Sequence, residues 1–200
     1  MNKQDVVAVV LGGPSSEAEV SRRTGGAIAE ALREKGYNAV EVELVPEKLV
    51  EQLREIDAKV VFNAVHGMYG EDGRLQSILE AIKMPYTGSG VLASAVAMDK
   101  VATKRFLISA NISTPKCLMY NKRFDNDMAK IEKEIIATFG VPVVIKAADQ
   151  GSSIGVEIVK VEADVAAALE NTFKYSDLVL VEECINGKEL TCGVMEVEGE

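Results

Sequence analysis

The residues best placed to do chemistry lie in VPVVIKAADQGSSIGVEIVKV, residues 141–161. Two apolar runs flank a Gly/Ser loop, and Lys146 stands where the first run meets it. Such a loop suits an anion. The N–H groups and hydroxyls of Gly151-Ser152-Ser153-Ile154-Gly155 can close on phosphate oxygens while Lys146 adds a point charge. No GKS or GKT follows, and Val156-Glu157-Ile158-Val159 has strand character where a P-loop needs a helix. Phosphate binding here would therefore come from a hairpin flap, without a helix dipole. The competing reading is a strand-end lysine reaching to water, with Gly151 serving only the turn.

Glu17 closes the segment Gly12-Gly13-Pro14-Ser15-Ser16-Glu17, between an apolar run and a helical pattern. Dinucleotide folds put their pyrophosphate loop there, but GxGxxG is absent, Pro14 removes one N–H, and Glu17 adds a negative charge. An NAD(P)-linked enzyme is thus disfavoured. Glu17 suits a ligand ammonium; the plainer alternative is a first-turn acid favoured by the helix dipole. His66 is the only histidine and follows an apolar run, and glycines at 67, 70 and 73 allow close backbone approach. One histidine and no paired cysteines do not make a zinc site. Lys100, with Lys104 and Arg105 after it, reads equally well as part of a solvated helix face.

Positioning these groups requires a real fold, and 200 residues with 48% hydrophobic content allow one. A net charge of −9 and a pI near 4.8 argue against a long nucleic-acid interface, so an anionic ligand must be gripped locally. No window has the apolar length of a membrane span or a signal peptide, and three unpaired-looking cysteines fit a reduced, cytoplasmic location. Apolar runs at 6–11, 40–45 and 59–65 and a short one at 85–87 alternate with helical patterns. Ser16-x-x-Glu19 reads as a capping box, with Val20, Thr24, Ala27, Ile28, Ala31 and Leu32 as the first helix's buried stripe. Pro46 opens the second helix. This alternation implies a doubly wound parallel sheet, with ligands beyond the strands' C-terminal ends. One long helix is expected over 91–110. Strands at 114–120, 178–183 and 190–197, and two more within 141–161, with helices at 128–139 and 165–173, then imply an antiparallel sheet. The boundary falls near Met98, giving domains 1–98 and 99–200.

Together, GGPSSEAEVS, HGMYGEDGRLQ, PYTGSG, MDK, VVIKAADQGSSIGV and VEECINGKELT resemble the D-alanine–D-alanine ligase family of the ATP-grasp superfamily. The resemblance covers essentially the whole chain. It implies a Rossmann-like α/β domain followed by an α+β ATP-grasp subdomain, and ATP-dependent joining of two D-alanines through an acyl phosphate for peptidoglycan precursors. By position, Glu17 would bind the first D-alanine's ammonium, with His66 near its carboxylate. Ser152 would link to Glu17 and latch the flap. Lys100, Lys146, Ser152 and Ser153 would contact ATP; Glu182, Glu183 and Ile185 would meet adenine chiefly through backbone groups, and Glu189 the ribose. Some relatives carry lysine at the position of Glu183. The resemblance also implies Mg2+, with Mn2+ as an alternative ion, a homodimer through the N-terminal domain, and a further domain supplying metal ligands and a catalytic arginine. None of these lies within residues 1–200, so the chain is expected to be truncated and inactive alone. D-alanine–D-lactate or another ATP-grasp carboxylate–amine ligase, and a non-catalytic nucleotide-binding module, are the alternatives.

Overall fold

The computed structural model describes residues 2–151 and 153–195. The expectations for Ser152, and for the end of the strand at 190–197, therefore lie outside the described residues. β1 (Val6–Leu11) is buried from Val7 onward and forms the centre of a three-stranded parallel sheet, between β2 (Asn38–Glu43) and β3 (Ala58–Asn63). An apolar run without alternation is what a strand covered on both faces requires. Helix α1 (Ala18–Glu34) covers one face, against Val9 and Ala64. Helices α2 (Leu49–Glu55) and α3 (Arg74–Ala81) cover the other, where Leu49, Leu53, Leu75 and Leu79 pack on Ala8, Val10 and Val61. The expected fourth strand shrinks to a single bridge, Val61 with Tyr86.

Three details of the helices differ from the sequence reading. The Ser16–Glu19 capping box does not form: Glu17 occupies the N-cap, no side chain caps the helix, and Ser15 Oγ instead accepts from the Glu17 N–H at 3.1 Å. The buried stripe of α1 is Ser21, Gly25 and Ala29, while Val20, Ala27 and Ala31 face out. The helix lies too close to β1 for large residues, since a Cβ at Gly25 would sit 2.6 Å from that of Leu11. Helix α2 begins three residues after Pro46, which instead starts a turn.

The expected long helix is two. Helix α4 (Val91–Met98) ends at Asp99, whose backbone is extended, and α5 (Lys100–Ser109) begins there. Asp99 Oδ1 accepts from the Val101 and Ala102 N–H groups, both at 2.9 Å, so an aspartate buried in an apolar pattern acts as an N-cap. A second, wholly antiparallel sheet follows, in the order β4 (Cys117–Asn121), β7 (Leu178–Glu183), β5 (Val143–Ala147), β6 (Val156–Val159). Helices α6 (Met128–Phe139) and α7 (Val165–Thr172) cover one face, packing Ile131, Ile135 and Leu169 on Val143, Ile145, Val179 and Val181. Val101 of α5 lies on the opposite face with Ala148 and Leu180. Residues 190–195 are exposed and not a strand, because no neighbouring strand pairs with them among the described residues.

Ser21 fixes α1 to the ends of two strands. Its hydroxyl, fully buried, accepts from the Gly12 N–H at 2.8 Å and donates to the Ala64 carbonyl at 2.7 Å. Ser21→Ala removes both partners and leaves two buried backbone groups unmet. The variant is expected to lose about 1–3 kcal/mol of unfolding free energy in urea denaturation.

Candidate functional site

Strand alternation sets what faces the open side of the second sheet. On β5, Val143 and Ile145 point to the helices, so Val144 and Lys146 point away from them; on β7, Leu180 and Glu182 share that opposite face. Lys146 sits opposite Leu180 and Val144 opposite Glu182, which makes Lys146 and Glu182 diagonal neighbours within reach of a long side chain. Their side chains meet: the Lys146 ammonium donates to Glu182 Oε2. Glu182 Oε1 faces a second cation, Lys104 of α5, at 2.5 Å. Burial alone would raise the Glu182 pKa, but hydrogen bonds from Lys104 and Lys146 outweigh it and hold the carboxyl below its ordinary range.

Lys104 corrects the reading of α5 as a solvated face. It is only 4% exposed, and its ammonium also donates to the Pro115 carbonyl. One turn earlier, the half-buried Lys100 donates to the Gln150 carbonyl, and its own N–H donates to Ala148 O at 3.0 Å. Burial, and after it the nearby Lys146 charge, pushes the Lys100 pKa down, while Asp149, Asp99 and Glu182 act the other way. Two ammonium groups thus repel one another at one wall of a cavity of about 730 Å³. An anion between them would relieve that repulsion.

The same cavity is lined by Ser153 of the flap, by Glu183 at the end of β7 and by Ile185 and Glu189 beyond it, so every described residue expected at ATP borders one space. Their availability differs. Glu183 gives its N–H to Lys116 O at 3.1 Å, and its carboxylate accepts from the Lys116 N–H at 2.8 Å. Ile185 is 64% exposed.

Glu17 lines a neighbouring cavity of about 430 Å³, which shares Met98, Gln150 and Gly151 with the first. Its carboxylate lies between two loops: a Cβ on Gly67 would stand 2.5 Å from Glu17 Oε2, and one on Gly151 3.3 Å from it. His66 borders a third cavity, of about 410 Å³, with Asn63, Thr87 and Ser94, and its Nδ1 is 4.0 Å from Glu71 Oε1. Glu17 and His66 thus line separate cavities. They are joined through Ser15, whose hydroxyl donates to the His66 carbonyl at 2.9 Å while accepting from Glu17 N–H. The glycine turn offers little to a dinucleotide: the Gly12 N–H goes to Ser21 and the Gly13 N–H to Glu43 Oε1 at 3.3 Å.

Against this geometry the comparisons with known proteins are specific. Family models for the N-terminus and the C-terminus of D-ala D-ala ligase match residues 45–89 and 106–200. The D-alanine–D-alanine ligase of Syntrophotalea carbinolica is 44% identical over 195 residues, covering 97% of this chain and 61% of the relative. That of Pelotomaculum thermopropionicum is 43% identical over 191 residues, covering 94% and 60%. The chain belongs to the D-alanine–D-alanine ligase family. The crystal structure of the Bacillus anthracis D-alanine–D-alanine ligase complexed with ATP superposes with a TM-score of 0.79 at 32% identity, over 92% of this chain and 60% of that one. The chain thus spans about 60% of the length of the ligases it matches.

Among the described residues no group of three or more His, Cys, Asp or Glu is arranged to hold a metal ion. The described residues do not form a site for the Mg2+ that the ligase family resemblance implies. No helix among the described residues is long and apolar enough to cross a membrane. Sequence reasoning missed Lys104 and Ser15. Spacing held the signal for Lys104, four residues from Lys100 and three from Val101 on the helix face that packs on the sheet.

Two outcomes follow. Gly67 has φ +68, so Gly67→Ala strains the backbone and collides with the Glu17 carboxylate; a loss of about 1–2 kcal/mol is expected in urea denaturation. The Glu182 carboxyl has a folded pKa below its unfolded value, so its stabilising charge is fully present above the ordinary value of 4.5 and is lost as pH falls through the folded value. Unfolding free energy measured from pH 7 downward should drop below about pH 4.5 less steeply in Glu182→Gln than in the parent chain.

Proposed function

We propose that this chain takes part in ATP-dependent ligation of D-alanine, with residues 1–98 holding the first amino acid and 99–200 the nucleotide. The observation that carries the reading is the single cavity bordered by Lys100, Lys146, Ser153, Glu182, Ile185 and Glu189, walled off from Glu17 only by Met98 and the flap residues Gln150 and Gly151. Phosphates between Lys100 and Lys146 would meet two partly desolvated cations, where each is worth more than in water. The ATP-complexed Bacillus anthracis ligase supports the choice of nucleotide.

In this reading Glu17 pairs with the ammonium of the first D-alanine, leaving its carboxylate toward the shared wall. A carboxylate oxygen attacks the γ-phosphorus, the bond to ADP breaks, and an acyl phosphate forms. The amine of a second D-alanine then attacks the acyl carbon, phosphate departs with the bonding pair, and the amine loses a proton. Lys146 and the flap N–H groups stabilise charge on the phosphoryl oxygens. Ser152 is assigned the link between the flap and Glu17, and His66 a place near the first substrate's carboxylate, reached through Ser15. Glu182 and Glu183 border adenine and Glu189 accepts from the ribose hydroxyls. Cytoplasmic location, Mg2+ dependence and a homodimer through the N-terminal half belong to the same proposal.

Calorimetric titration with ATP tests the nucleotide assignment. Lys146→Ala should weaken ATP by about tenfold or more, given the 1.5–3 kcal/mol typical of a hydrogen bond to a charged group. A parent chain that binds no ATP, or a variant of parental affinity, would refute it.

A further inference from the structure

We propose that Lys104 is a positioning residue for the nucleotide cavity, acting through Glu182 to aim the Lys146 ammonium; the inference rests on the nucleotide reading above. Lys146 has rotamer freedom and a side chain that is 28% exposed, so something must hold it over the cavity. Its one partner among the described side chains is Glu182 Oε2. That carboxylate is itself 5% exposed and cannot be steadied by water.

Lys104 steadies it. Its ammonium reaches Glu182 Oε1 at 2.5 Å from the opposite side and is anchored in turn by the Pro115 carbonyl just before β4. The chain of contacts runs Pro115, Lys104, Glu182, Lys146, and only its last member borders the cavity as a cation. The buried part of this line is held by packing: Val101 and Leu180 flank it, and Glu182 stands on β7, an inner strand paired with both β4 and β5.

A second consequence follows from having two cations on one carboxylate. When Lys146 turns toward a phosphate, Glu182 is not left as a lone buried anion, because Lys104 stays with Oε1. Breaking an ordinary buried pair exposes one partner to a large desolvation penalty. Here the penalty is reduced, so Lys146 can exchange between carboxylate and phosphate without unfolding its surroundings. Lys104 thus both orients the phosphate-binding lysine and permits its release.

The test uses Lys104→Met and Lys104→Arg in the same chain, with ATP and adenosine as separate titrants and circular dichroism melts to verify folding. Lys104→Met should weaken ATP about tenfold or more, the scale seen when an orienting partner is removed from other sites, with adenosine changed by less than about threefold. Lys104→Arg keeps the cation and should recover most of the ATP affinity. Should Lys104→Met fail to fold, Lys104→Gln and Lys104→Arg carry the same comparison. Parental ATP affinity in the folded Met or Gln variant overturns the proposal, as does an equal loss of ATP and adenosine that Arg does not repair. NMR of the Lys146 side-chain ammonium separates this from the nucleotide reading. If the parent chain binds no ATP, the nucleotide reading falls alone when Lys104→Met still shifts the Lys146 signal and Lys104→Arg does not. An unmoved signal overturns the positioning role.

Discussion

A buried carboxylate cannot stand alone, and Glu182 is the group around which the second half of this structure is arranged. Its strand places it on the open face of the sheet, where it is nearly out of water. Ionised there, it needs compensation from close cations rather than from solvent. Lys146 comes from the adjacent strand and Lys104 from a helix that crosses the same face. The requirement ties α5 to β7 by charge as well as by the apolar contact of Val101 with Leu180. Asp99, which caps α5 and separates it from α4, sets where Lys104 falls on that face. One residue earlier or later, the lysine would leave the sheet.

The first half solves a different problem, that of bringing loops to a common edge. Small residues along α1 let it lie close to β1, and Ser21 joins the ends of β1 and β3 through its hydroxyl. The loops after those strands therefore start from fixed points, and Glu17 and Gly67 end up side by side. Because Gln150 and Gly151 line the Glu17 cavity as well as the larger one, the two halves share a wall there.

Much of this was legible in the sequence, and the misses have physical causes. Unbroken apolar runs marked β1 and β7, and the Gly/Ser loop between two strand-like runs marked the β5–β6 hairpin. Counting hydrophobic residues failed on α1, because a close helix–strand approach selects Ser, Gly and Ala over Val. It failed again on α4 and α5, where Asp99 interrupts a helical rhythm without a glycine or proline to announce it. Lys104 was read as solvated because a lysine's usual place is the surface. Only the position of Glu182, distant by 78 residues in sequence, explains its burial, and no local pattern carries that information. The exposed 190–195 segment shows the opposite error: strand propensity without a partner strand among the described residues does not make a sheet.

The overall charge sharpens what the lysines must do. At −9 the protein's long-range field disfavours the approach of any polyanion. That field is screened over about 8 Å at physiological ionic strength, so within the cavity only the nearest groups count. There burial, and after it the Lys146 charge, depresses the pKa of Lys100, and the acidic neighbours of Lys100 offset this only in part. An anion's affinity is therefore decided by where these ammonium groups are held, to within a hydrogen-bond length. Strand register fixes the backbone of Lys146, but its four-carbon side chain is not fixed by register. The carboxylate of Glu182, held by the buried Lys104, supplies the remaining constraint.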